Sequence, residues 1–324
     1  MKTATGILSK KAIAPLLITL GLALPAVALA QGSYIRLVVA FPPGGPSDIM
    51  ARVISERLGK ALHDNVVVEN RPGGNGAIAA QHVLQQPADG KTLWLTTSGA
   101  ITINPSLYPK LAYDVKDFAP VSLVVNTPEM LVVNPKNQAS DAKSFIENAK
   151  KTQVNFASSG IGSMPHMAIA LLTEATKVSF LHVPEKGAAP AISDLMGGHV
   201  DAFLADIPGI AAQVRSGTLK GLAVAAGRRS TIFPNIPTFA EQGIPGLDVN
   251  NWSAVYVSAK VSPEKIAELN RALRETLADP QIDAKLRELG VEPQANNGKE
   301  MAGIAAADAA KWQRLIKANN IQPE

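Results

Sequence analysis

Phe41-Pro42-Pro43-Gly44-Gly45-Pro46-Ser47-Asp48 is the stretch on which the reading of this chain turns. The run before it, Ile35-Arg36-Leu37-Val38-Val39-Ala40, is short, apolar and β-branched at its centre, as in a buried strand. After it, Ile49, Val53, Ile54 and Leu58 recur at helical spacing, so a helix starts near Ser47 or Asp48. Two glycines can take positive φ and leave backbone N–H groups bare, Pro46 suits a first helical turn, and Ser47 or Asp48 can cap. Strand, glycine loop and helix N-terminus together make a place where N–H groups converge on an anion. The same residues would also serve as a plain, well-capped βα turn.

The chain has 324 residues and no cysteine, enough for one or two domains with sizeable cores. Apolar residues at 46% and charged residues at 18% mark a globular composition. Lys2, Lys10 and Lys11, the apolar run 12–27 and the small-x-small ending Ala28-Leu29-Ala30 read as a secretory signal over residues 1–30, cleaved after Ala30. An uncleaved anchor is the competing reading, which the A-x-A ending disfavours. A soluble protein exported to the periplasm follows. Those three lysines supply most of the net charge of +4, so the mature chain is close to neutral. No basic stripe interleaved with aromatics points to nucleic acid as a partner. Without cysteine there is no thiolate nucleophile or thiolate metal site, and stability must come from packing.

Beyond the first unit, strand and helix patterns alternate. Strands are expected at 65–70 and 92–97, with a turn-rich loop at 71–76 and a small-residue helix at 77–86. That alternation predicts an α/β fold with parallel sheets, ligands binding at the strands' carboxyl ends. A new series starts after residue 121, with strands at 153–157, 178–182, 200–205 and 222–226 and helices between them. The pattern then returns with a strand at 252–258 and helices at 263–278, 281–289 and 299–318. Leaving one series, building a second and coming back predicts two lobes, 31–124 with 252–324 and 125–251. They would be joined by two crossover segments near 123–131 and 248–255, able to close as a hinge.

Ser158-Ser159-Gly160-Ile161-Gly162-Ser163 is a second glycine-serine loop between strand and helix, in the other lobe. Facing loop 41–48 across a cleft, it would supply N–H groups and hydroxyls sufficient for a carboxylate without an arginine. Neither loop ends as a phosphate-binding P-loop does, and Gly73-Gly74-Asn75-Gly76 lacks dinucleotide spacing and reads as a turn, or else as a support for the cleft. Thr97-Ser98-Gly99 is not a nucleophile elbow. The five histidines, His63, His82, His166, His182 and His199, make no i, i+4 pair, which argues against a helix-borne zinc site. No metal or cofactor is expected. His166, one turn into the helix after the second loop, is either a locally bonded helix-start residue or a ligand contact. Glu185 and Asp206 each follow a strand of the second lobe. In the cleft, either would favour an amine, a hydroxyl or a protonated partner over a second carboxylate; otherwise each is a solvated loop acid.

Loop 41–48, Val67-Val68-Glu69-Asn70-Arg71-Pro72-Gly73-Gly74-Asn75-Gly76, Asn155-Phe156-Ala157 with the second loop and His166, and Lys186-Gly187-Ala188-Ala189-Pro190 resemble the Bug-type extracytoplasmic solute receptors of tripartite tricarboxylate transporters. The resemblance spans the mature chain. It implies a two-lobed periplasmic binding protein fold of type II and a small organic carboxylate or amino acid held between the lobes, partly through water. It also implies a monomer that delivers its solute to membrane transport subunits. Carried onto this sequence, the first-lobe contacts fall on Pro43, Gly44, Gly45, Pro46, Ser47 and Asp48, with Ser98, Ala100 and Asn104 at a neighbouring strand end. Those of the second lobe fall on Ser158, Ser159, Gly162, Ser163 and His166. The residue before Lys186 is often aromatic in that family. Glu185 stands there and widens the expected ligand range, and Asp206 is the other candidate for the ligand's distal end. An exported hydrolase or isomerase on the same frame, drawing on Ser98, His166, Glu185 and Asp206, is the alternative.

Overall fold

The computed structural model describes Thr3 and residues 34–323. The expected export signal, apart from Thr3, and its cleavage point at Ala30 lie outside the described residues. In chain order, β1 (Tyr34–Val39), α1 (Pro46–Leu62), β2 (Asn65–Asn70), α2 (Ala77–Leu84) and β3 (Thr92–Thr97) come first. A π-helical turn, Gly99–Ile103, runs into the short α3 (Asn104–Leu107), and β4 (Phe118–Asn126) follows. The middle of the chain builds β5 (Glu129–Val133), α4 (Ala142–Ala149), β6 (Asn155–Ser158), α5 (Met164–Thr176), β7 (Leu181–Pro184), α6 (Ala188–Gly197), β8 (Ala202–Asp206), α7 (Ile207–Arg215) and β9 (Lys220–Ala225). Last come β10 (Ser253–Ser258), α8 (Pro263–Leu277), α9 (Pro280–Glu288), β11 (Glu292–Pro293) and α10 (Gly298–Ala318).

These strands form two sheets, ordered β11-β4-β10-β3-β1-β2 and β7-β6-β8-β5-β9. Each is mixed, where the alternation predicted parallel sheets. β1 pairs parallel with β2 and β3, but β10 runs antiparallel to both β3 and β4. In the second sheet β6 pairs parallel with β7 and β8, whereas β5 runs antiparallel to β8 and β9. The reason is the crossings. β5 and β10 are the strands by which the chain enters one sheet from the other, so each starts at the cleft edge, where the parallel strands end.

Helices cover both faces of each sheet because the central strands bury alternate residues on both sides. In the first sheet Leu37, Val39, Leu93 and Leu95 pack with α1, α8 and α9, while Val38, Trp94 and Tyr256 pack with α2. In the second, Leu131, Val133 and Leu204 face α4 and α5, and Met130, Val132 and Phe203 face α6 and α7. α1 shows how sequence sets this: Met50, Ala51, Ile54 and Leu58 are buried on one side, and the helix ends at His63 in a left-handed cap.

The two crossing segments lie against each other. Asn251 N–H donates to Thr127 O at 3.0 Å, Thr127 N–H to Asn250 Oδ1 at 3.0 Å, and Asn250 Nδ2 to Asn126 Oδ1 at 2.7 Å. α10 departs from the sequence-based partition, which gave all of 252–324 to the first lobe. Met301 packs with Trp94 and Trp252, but Trp312, Leu315 and Ile316 pack in the core of the second sheet, and Arg314 pairs with Glu174 of α5 at 3.0 Å. At 21 residues, about 30 Å of helix, α10 is long enough to lie along both lobes.

Candidate functional site

Four strand ends meet at the cleft. β1 leads into loop 41–48, β3 into Ser98, β6 into Ser158, and β8 ends at Asp206. In the first loop Gly44 takes φ +80°, and its N–H donates to Asp48 Oδ2 at 2.9 Å. Arg52 binds the same carboxylate through Nε at 2.9 Å and through a second guanidinium nitrogen at 3.0 Å, and Asn70 Nδ2 adds a bond at 3.0 Å. These donors, Arg52 first, hold the Asp48 carboxyl below its ordinary value. The expectation that Gly44 leaves its N–H bare is therefore corrected: Asp48 takes that proton and braces the loop from behind. Gly45 N–H turns back toward Pro42 O at 3.4 Å, Pro43 is exposed, and Pro46 is the first helical residue. The outward donors of this loop are the first-turn N–H groups at Ser47 and Asp48.

Ser98 is fully buried, and its Oγ donates to Asn251 Oδ1 at 3.0 Å. Asn251 Nδ2 in turn donates to both carboxyl oxygens of Asp206, at 3.1 and 2.9 Å. One asparagine on the return crossing thus ties a first-lobe strand end to a second-lobe strand end. Ala100 and Asn104 are buried structural groups rather than open contacts. The Ala100 carbonyl accepts from the Tyr113 hydroxyl, and Asn104 Nδ2 donates to Asn75 O at 3.0 Å.

In the second lobe Ser163 caps α5, its Oγ donating to Gly160 O at 2.6 Å and accepting from His166 N–H at 3.4 Å. Ser158 Oγ lies 2.6 Å from His182 Nε2 and accepts Gly160 N–H at 3.1 Å. His182 stacks on His166 with ring centroids 3.8 Å apart, and His166 Nδ1 accepts Gly162 N–H at 3.3 Å. Burial lowers both imidazoles, to about 3 for His166 and about 4 for His182, so both are neutral at physiological pH. Ser159 is half-buried in the same loop. Glu185 lies against Asp194 of α6; partial desolvation and that neighbouring acid raise its carboxyl.

Two further contacts between the lobes flank these loops. Asn75, in a left-handed conformation at φ +46°, donates its Nδ2 to Asn104 Oδ1 at 2.9 Å and across the cleft to Gly162 O at 3.1 Å. Gly162 sits so close to Leu107 that a Cβ there would lie 2.5 Å from Leu107 Cδ2. At the other end a Cβ on Gly209, in the first turn of α7, would lie 3.9 Å from Pro46 Cγ. Loop 41–48 therefore faces the N-terminus of α7, and loop 158–163 faces Asn75 and α3. Sequence reasoning singled out neither Gly209 nor Asn251; it read the run holding Asn75 as a turn, with a supporting role at the cleft as the alternative, and Asn75 does reach across to Gly162. The Gly-Gly-Asn-Gly run signals left-handed backbone, but not that a side chain would reach the other lobe.

This arrangement offers helix N-termini, hydroxyls and carboxyl groups. Ser158 Oγ, though paired with a histidine, is wholly buried beneath its loop. Among the described residues no group of three or more His, Asp or Glu could hold a metal ion.

The family described as "Tripartite tricarboxylate transporter family receptor" matches residues 50–321. Protein BugT of Bordetella pertussis is 35% identical over 287 residues, covering 87% of this chain and 88% of that protein. Among solved structures, an R. palustris protein with adipate superposes with a TM-score of 0.85 at 31% identity, covering 90% of this chain and 98% of that one. MatC from Rhodopseudomonas palustris with bound malate gives 0.80 at 29% identity, covering 87% and 98%. The periplasmic binding protein BugD gives 0.81 at 30% identity, covering 90% and 98%.

Proposed function

Because this chain belongs to the tripartite tricarboxylate transporter receptor family, whose members are solute-binding proteins rather than enzymes, we propose that it holds the carboxylate of a small organic acid between the first turns of α1 and α7, with loop 158–163 closing beside it. The observation that carries this reading is the approach of Pro46 to Gly209, which brings two helix N-termini together across the cleft. The first turn of α1 leaves the Ser47 and Asp48 N–H groups unpaired and that of α7 the Gly209 N–H, since Ile207 N–H is taken by Pro128 O at 3.2 Å and Pro208 has none; each helix end also carries about half a positive charge, the complement of a carboxylate. The one arginine bonded at these loops, Arg52, is occupied by Asp48. The grip therefore comes from main chain and hydroxyls. In this reading the protein is exported, works as a monomer in the periplasm, and hands its solute to membrane subunits when the crossing segments at 126–129 and 250–252 let the lobes part.

A thermal-shift panel of mono- and dicarboxylates, on protein unfolded and refolded to strip carried-over solute, tests it. A carboxylate present at about 100 times its Kd adds roughly 2.7 kcal/mol to stability. No shift with any of them refutes the reading. Turnover of a bound acid, abolished in His166→Ala, would instead favour the hydrolase or isomerase alternative.

A further inference from the structure

Glu129 opens β5 at the cleft edge and is paired in register with Asp206 at the end of β8. Directly paired residues of antiparallel strands project from the same face. That face is fixed by their neighbours two residues along: Leu131 and Leu204 lie in the core that also holds α5, Trp312 of α10 and Ile103 of the first lobe. The two carboxyl groups therefore lie side by side on that face at the ends of β5 and β8, where Asn251 joins Asp206 to Ser98 at a strand end of the first sheet. Glu129 is completely buried, and neither of its carboxyl oxygens has a hydrogen-bond partner in the protein. Burying such a group without a partner costs several kcal/mol unless something else bonds to it. Asp206 keeps some solvent contact, and Asn251 donates to both of its oxygens. Desolvation and the neighbouring Asp206 push Glu129 well above its ordinary value, and desolvation lifts Asp206 to about 7.

We infer that the Glu129–Asp206 carboxyl pair is a recognition site for the ammonium group of the solute, so that the receptor's preferred ligand is a small zwitterionic amino acid. The inference rests on the carboxylate grip of the preceding subsection and deepens it. The helix N-termini hold the acid end, and the paired carboxyls at the cleft edge accept from the amine. An ammonium supplies what the pair lacks, a cation with several donors, and a second carboxylate brought against it would meet two acids.

Matched solutes that differ only at C2 provide the test. Titration calorimetry on the stripped full protein compares L-alanine, L-lactate and propionate; L-aspartate, L-malate and succinate; and L-glutamate, L-2-hydroxyglutarate and glutarate. The expected result is that, in whichever size class binds, the amine exceeds both the hydroxyl and the unsubstituted acid by about ten- to a hundredfold, the range for a charge-assisted bond made or lost. In the double variant E129Q/D206N that preference collapses to within about threefold. The wild-type ranking needs no variant, so the test survives poor folding of the double mutant. Equal or reversed ranking overturns the ammonium site while leaving the carboxylate grip standing, as does a preference that persists in a folded E129Q/D206N. Binding by none of the nine overturns both.

Discussion

Asn75 is the side chain on which lobe closure can be measured most cleanly. Its Nδ2 makes one bond within the first lobe, to Asn104 Oδ1, and one across the cleft, to Gly162 O. Only the second depends on the lobes being together. Asn75→Gly is the appropriate change, since glycine accepts the φ of +46° that alanine would resist. A net hydrogen bond is worth about 0.5–1.5 kcal/mol, so the loss of the cross-cleft bond should weaken solute affinity by roughly two- to twelvefold. The fully buried Asn104 simultaneously loses a partner for Oδ1, at a cost of about 1–3 kcal/mol to the solute-free fold. The two effects separate by assay: calorimetric Kd reports the first, urea unfolding without solute the second. A variant with unchanged Kd but reduced stability would refute the claim that Asn75 latches the closed form.

Other expectations follow from the same geometry. Gly162→Ala should cost about 1–2 kcal/mol in left-handed strain and press a methyl into Leu107, weakening binding. Adding Leu107→Ala should recover the steric part of the binding loss, and a double mutant binding no better than Gly162→Ala alone would contradict the contact. Asp48→Asn releases the Arg52 fork and weakens the hold on Gly44, and should lower stability at pH 7 by about 1–3 kcal/mol in denaturant titration. Because the folded-state value of Asp48 is depressed, its stabilisation is present above the ordinary aspartate range and is lost as pH falls through that depressed value. His166 and His182 act in the same direction for the opposite reason. The unfolded chain binds their protons first, so stability should fall below about pH 6.5 by up to about 1.4 kcal/mol per pH unit for each, levelling off near the folded values of about 3 and 4. His182→Gln should roughly halve that slope in urea midpoints taken between pH 7 and 4.5; an unchanged slope would place the titrating groups elsewhere.

What the sequence revealed and what it hid have physical reasons. Strand and helix positions were legible because Leu37, Val38 and Val39 make the short continuous apolar run of a strand covered on both faces, and Ile54 and Leu58 recur at helical spacing. The direction of β10 was not, because antiparallel entry into the sheet is a consequence of the crossing and leaves no mark on the residues. Loop 41–48 was found from its glycines and helix start, yet the fate of the Gly44 N–H depends on Asp48 swinging back, which spacing does not record. Glu129 passed unnoticed because a glutamate between Pro128 and Met130 looks like a turn residue. Only its pairing with Asp206 shows that it is buried at the cleft edge. Asn251 and Gly209 likewise acquire meaning from partners more than 40 residues away in sequence.

The most direct test is a crystal structure of the stripped protein with whichever acid shifts its melting temperature most. The expected result is a carboxylate with oxygens about 3 Å from main-chain N–H groups in the first turns of α1 and α7, near Ser47 and Gly209. A carboxylate held instead by an arginine or lysine side chain, or a solute bound outside the gap between the two sheets, would contradict it.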